Sequence, residues 1–101
     1  MRLDLSNAAV ADLKAIADYT FQHWGPEQEE EYIGGIWDLL ERIAANPDGH
    51  RLRREFRSGC HSAKYQRHVI FFIVSPKKVE IVRILHGAMD FGTHLPEDFR
   101  L

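Results

Sequence analysis

Arg67-His68-Val69-Ile70-Phe71-Phe72-Ile73-Val74, then Ser75-Pro76-Lys77-Lys78, then Val79-Glu80-Ile81-Val82-Arg83-Ile84-Leu85-His86-Gly87-Ala88-Met89-Asp90, is the stretch that decides the fold. Two β-branched and aromatic runs flank a short polar turn containing Pro76, which predicts an antiparallel strand hairpin. The second run ends in Arg83, His86 and Asp90, two cationic or titratable side chains and a carboxylate around the end of one buried strand. Strand ends beside loops often carry function, but this cluster alone does not name one.

Upstream the period changes from two to three and four. Arg2 to Leu5 reads as a short strand, and Ser6 can cap a helix from Asn7 to about His23 by accepting an orphan amide proton. Ala9, Leu13, Ile16, Ala17, Thr20 and Trp24 form its predicted buried stripe. Gly25-Pro26 breaks that helix, with Pro26 suited to the first position of the next. Glu27, Glu29, Glu30 and Glu31 then complement the positive end of the second helix. Ile33, Ile36, Trp37, Leu40, Ile43 and Ala44 make the second stripe, and Asn46-Pro47-Asp48-Gly49 stops it. Gly34-Gly35 inside this helix costs roughly 1 kcal/mol per Gly against Ala, which close packing or a kink would explain. After a basic connector, His50 to Ser58, a weak strand at about His61 to Tyr65 precedes the strong hairpin. The predicted order is β-α-α-β-β-β: an α+β two-layer sandwich with a helical hairpin on a three-stranded antiparallel run, and a tail or short helix after Asp90.

Residues 1–101 are expected to form a single domain, with room for one core. A hydrophobic share of 45% against 28% charged residues separates the chain from disordered tails. No run of about 18 apolar residues is present to span a bilayer. The first six residues are too mixed for a secretory signal. Cys60 is the only cysteine, so no intrachain disulfide forms, and a reducing cytoplasm without metal or cofactor is expected.

The formal charge of −2 conceals a segregation. Met1 to Asp48 holds three cations against ten anions, whereas Gly49 to Ala88 holds nine cations against Glu55 and Glu80. A basic half suggests an anionic partner, either a nucleic-acid enzyme, nucleic acid or an acidic protein segment. Mutual neutralisation across the fold is the alternative.

Ordered elements along the chain carry a resemblance. They are Leu5-Ser6 with Ala11-Asp12-Leu13, His23-Trp24-Gly25-Pro26-Glu27-Gln28, Asn46-Pro47, Arg57-Ser58-Gly59, His68-Val69-Ile70-Phe71-Phe72, and Ile81 to Gly87 with Met89-Asp90. In that order and spacing the chain resembles the ParE branch of the RelE/ParE toxin superfamily. The resemblance implies a toxin of a type II toxin–antitoxin pair that stalls DNA gyrase on cleaved DNA. It also implies a cognate antitoxin whose C-terminal segment folds around the toxin. Arg83, His86, Met89, Asp90 and Phe91 are then the target-binding candidates. Arg51, Arg53, Arg54 and Arg57, with Trp37 and Ile33 on the hairpin, are the candidates to face the antitoxin or another polyanion.

RelE relatives instead cut mRNA on the ribosome, and a metal-independent nuclease needs a base, an acid and phosphate-binding cations. Aligned on His86, Gly87 and Ala88 stand where RelE-like enzymes have arginines, Phe91 near a terminal Tyr, and Val69 in place of an Arg. None of these can move a proton or hold a phosphate, so no catalytic residue is assigned. Many ParE sequences read His-Gly-Arg-Met-Asp where this chain has His86-Gly87-Ala88-Met89-Asp90. Arg83 could alternatively serve an internal ion pair with Asp90 or Glu80. His50, His61, His68 and Cys60 match no zinc spacing. Cys60 and His61 point to opposite faces of a strand and make no nucleophile pair. The connector lacks the interleaved aromatics of a base-stacking platform, so direct nucleic-acid binding is not expected.

Overall fold

The computed structural model describes residues 1–99. The predicted hairpin forms from β4 (His68–Val74) and β5 (Lys78–His86), turning where Ser75 N–H donates to Lys78 O at 2.9 Å. β3 (Cys60–Tyr65) joins β4 antiparallel, and β1 (Arg2–Leu5) runs parallel to β5 along the opposite edge. A parallel neighbour requires a long crossover. The helical hairpin supplies it: α1 (Asn7–Trp24) and α2 (Pro26–Ala45) meet at Gly25, whose φ of 90° suits glycine. The connector contributes one unforeseen strand, β2 (Arg51–Leu52), which pairs with β3 and completes the order β1-β5-β4-β3-β2. No described helix is long and apolar enough to cross a membrane.

Both faces of the sheet are buried. The helices pack Ala9, Leu13, Ile16, Ile36, Leu40 and Ile43 against Ile70, Phe72, Val79, Ile81 and Ile84. On the other face Cys60, Val69, Phe71, Val82 and Leu85 are covered by Phe56 and by the C-terminal segment. That segment holds a one-turn helix, α3 (Phe91–His94), and inserts Leu95 and Phe99 into the second core. The short helix was one of the two forms expected after Asp90, and with Leu95 and Phe99 it makes a thin third layer.

A β-bulge makes the two cores compatible. Phe71 pairs with Arg83 but Phe72 pairs with Ile81, leaving Val82 as an extra residue on β5. Strict alternation would send Ile81 and Ile84 to opposite faces. The extra residue resets the alternation, so both reach the helix-side core while Val82 and Leu85 reach the other.

The helix stripes need two corrections. Trp24 lies on the last turn of α1, beyond its buried residues, and is 70% exposed. Trp37 is 41% exposed because Ile36, Leu39, Leu40 and Ile43 centre the buried face of α2 to one side of it. Ile33 packs partly buried against the helix-side core. Close packing explains one of the paired glycines: a Cβ on Gly35 would collide with the Tyr65 phenol, whereas Gly34 faces open space.

Candidate functional site

β1 ends at Leu5, but β5 continues, leaving its edge bare from Val82 onward. Side chains seal it. Ser6 Oγ accepts from Ala9 N–H as the α1 cap and donates to Val82 O at 2.7 Å. Further along α1, Asp12 accepts the Ile84 N–H at 2.9 Å. The same carboxylate receives Arg83 Nε at 2.7 Å and Nη2 at 2.8 Å, while Arg83 Nη1 donates to His94 O at 2.7 Å. The Asp12 hydrogen bonds hold the Arg83 guanidinium above its ordinary value. Arg83 therefore has an internal partner, as the structural alternative held, but the partner is Asp12 rather than Asp90 or Glu80. It ties β5 to α1 and to the C-terminal segment together.

His86 belongs to a different surface. Arg83 lines a cavity of about 450 Å³ beside Ser6, Arg57 and the C-terminal segment, whereas His86 lines a groove of about 750 Å³ between the helices and the β4–β5 strand ends. The strand register sets His68 directly opposite His86, with ring centroids 5.4 Å apart. Tyr32 from α2 reaches down to His68 Nδ1 at 2.7 Å. Burial, and secondarily His86, holds His68 below the ordinary histidine value, against a smaller upward pull from Asp12. Burial raises the Tyr32 phenol. His86 Nδ1 accepts from Ala88 N–H at 3.1 Å, while Gly87 N–H donates to Arg67 O at 2.7 Å, fixing the turn that carries Met89. Tyr19 and Trp24 wall the far side of the groove. Its aromatic wall falls outside the target-binding candidates chosen from sequence. Trp24 was assigned to the core, so its periodicity concealed it.

The other target-binding candidates divide by exposure. Met89 is exposed, and Asp90 caps α3 by accepting Gly92 N–H at 3.2 Å. Phe91 packs on Phe71 with ring centroids 4.9 Å apart and supports the second core.

The basic connector divides similarly. Arg51 and Arg54 project into solvent with no ion pair among the described residues. Arg53 is instead 9% exposed. Its guanidinium lies 5.4 to 5.6 Å from the Phe56, Phe71 and Phe91 ring centres and bonds Ser62 and Glu55. Burying the charge among rings and acceptors offsets its desolvation. Arg57 is exposed, pairs with Asp98 at 3.2 Å and lies over Phe99, pinning the C-terminal segment. Arg83–Asp12 and Lys78–Asp4 join the basic half to the acidic one.

Cys60 and His61 do face opposite ways: Cys60 enters the second core and His61 stacks on Phe72 in the first. Burial pushes the Cys60 thiol up to about 11. Among the described residues no cluster of three or more His, Cys, Asp or Glu is placed to hold a metal ion.

The profile described as "ParE toxin of type II toxin-antitoxin system, parDE" matches residues 3–91. The chain is 36% identical over 92 residues to Toxin ParE1 of Mycobacterium tuberculosis, covering 90% of this chain and 94% of that protein. It is also 36% identical over 91 residues to Toxin ParE1 of Caulobacter vibrioides, with the same coverage. Toxin ParE of Escherichia coli is 31% identical over 96 residues, covering 92% of this chain and 91% of that one. A chain from the structure titled "Chromosomal ParDE TA system from P. aeruginosa" shares the fold, with a TM-score of 0.75 at 24% identity over 85% of this chain and 95% of that chain. The chain belongs to the ParE toxin family of type II toxin–antitoxin systems.

Proposed function

We propose that this chain inhibits DNA gyrase by binding, stalling the enzyme on cleaved DNA, and that a cognate antitoxin neutralises it by wrapping it with a C-terminal segment. The observation that carries the reading is the ParE family match over residues 3–91. The geometry favours binding over nucleolytic chemistry. Val69 and Phe91, where RelE-like nucleases place functional side chains, serve the second core, and the C-terminal segment covers the helix-free sheet face. Arg53, Arg57 and Arg83 are each engaged by a carboxylate, so none of the three is free to hold a scissile phosphate.

In this account His86, Met89 and Asp90 present the target-facing turn, while Arg83 and Phe91 hold its supports. Arg51 and Arg54 supply positive potential that draws an acidic antitoxin segment, and Trp37 with Ile33 offers apolar contact on the hairpin. Action on gyrase places the protein in the cytoplasm, and the mechanism needs no cofactor. Expression without antitoxin tests it: replication arrests while mRNA on translating ribosomes stays whole. Cut mRNA beside unaffected gyrase would replace this reading with an endoribonuclease.

A further inference from the structure

The His86 groove differs in chemistry from the helices above it. Trp24, 70% exposed, and Tyr19, 60% exposed, stand with Met89 around an apolar mouth, whereas Arg67, His68 and His86 supply its cationic or titratable groups. Among the described residues no carboxylate lines it, although α2 opens with Glu27, Glu29, Glu30 and Glu31 nearby in sequence. A surface with aromatic walls and a basic floor without acids complements an acidic segment carrying an apolar anchor.

We propose that this groove receives an antitoxin segment whose large apolar side chain seats against Trp24 and Tyr19 while a neighbouring Asp or Glu carboxylate is held by His68 and His86, so that docking takes up a proton and tightens as pH falls. The proposal rests on the antitoxin reading above and adds the subsite, its ligand chemistry and its regulation.

The hydrogen bonds define the free groove. His86 Nδ1 accepts from the Ala88 amide, which leaves Nε2 as its other ring nitrogen. Tyr32 holds His68 at Nδ1 and leaves its other ring nitrogen for a ligand. The groups around His68 are Asp12 and Tyr19 from α1, Tyr32 from α2, Tyr65 opposite on β3, Arg67 beside it, and His86 on β5. Asp12 is already occupied by Arg83 and the Ile84 amide. Burial and His86 oppose a charge on His68, and Asp12 pulls the other way. An incoming carboxylate strengthens the favourable side. Proton affinity is then higher in the complex than in the free toxin, so affinity climbs as pH drops through the complex's titration range and levels off below that of the free groove.

Calorimetric titration of the full-length cognate antitoxin into the toxin, at pH 7.5 and 6.0 and in two buffers of different ionisation enthalpy, tests the proposal. Kd is expected to fall about tenfold at the lower pH, the effect of roughly one unit of coupling, with proton uptake on binding. His68→Gln and His86→Gln each flatten the dependence, and Trp24→Ala weakens binding at both pH values while keeping it. Should His68→Gln fail to fold, the His86→Gln variant at the groove edge carries the comparison. Binding with a pH-independent Kd, or a dependence that survives both histidine substitutions, overturns the histidine clamp and leaves the antitoxin reading standing. No binding at either pH overturns both.

Discussion

Arg83 and Asp12, 71 residues apart in sequence, form a bidentate pair at 2.7 and 2.8 Å at the place where β5 loses its strand neighbour. The pair does two tasks, since the same carboxylate caps the Ile84 amide and the same guanidinium binds the His94 carbonyl. Asp12→Ala removes the acceptor for both the guanidinium and the amide and is expected to destabilise the fold by about 2–3 kcal/mol. Asp12→Asn retains a neutral acceptor and should lose about half as much. Urea unfolding of both variants checks the order; equal losses would mean the charge contributes nothing.

Gly34 and Gly35 should separate sharply. Gly34→Ala meets open space in a helix and is expected to stabilise by about 0.5–1 kcal/mol. Gly35→Ala drives a methyl into the Tyr65 ring and should cost about 1–3 kcal/mol. Adding Tyr65→Ala to Gly35→Ala relieves the clash, so the double variant should be more stable than the sum of the singles. Additive losses would refute the contact.

The second core depends on its thin cover. Phe99 is 2% exposed, and Phe99→Ala is expected to cost about 3 kcal/mol. It should also admit thiol reagents to Cys60, which is a free and fully buried thiol in the native protein. Labelling kinetics of wild type and variant give the comparison, and unchanged protection would show that the C-terminal segment does not shield this face.

The same thiol predicts an alkaline limb in stability. Its folded value, about 11, lies above the ordinary 9.0 because burial favours the neutral form. The contribution is therefore complete below pH 9 and lost as pH rises toward 11, because the unfolded chain ionises first. Cys60→Ala should remove that part of the slope in denaturant titrations from pH 8 to 11.

Locally encoded features were legible in the sequence. Ser6, the Gly25-Pro26 break and the hairpin around Pro76 each depend on neighbours within a few residues, and all form where expected. Long-range chemistry was not. Arg83 offered Glu80 and Asp90 as nearby partners, while Asp12 read as one more polar residue on a helix. Arg53 looked like its connector neighbours because its aromatic surround is assembled from Phe56, Phe71 and Phe91 in three separate segments. Trp24 satisfies the helical period but overhangs the sheet, where periodicity alone cannot distinguish a core residue from a groove wall. The bulge at Val82 leaves no mark in a run that is apolar on both faces.

Purified gyrase with supercoiled DNA offers the most direct test of the central claim. Adding this protein should accumulate gyrase–DNA complexes trapped with cleaved DNA, and adding antitoxin first should prevent them. Unimpaired supercoiling with no trapped complexes, at toxin concentrations that halt growth in cells, would contradict the account.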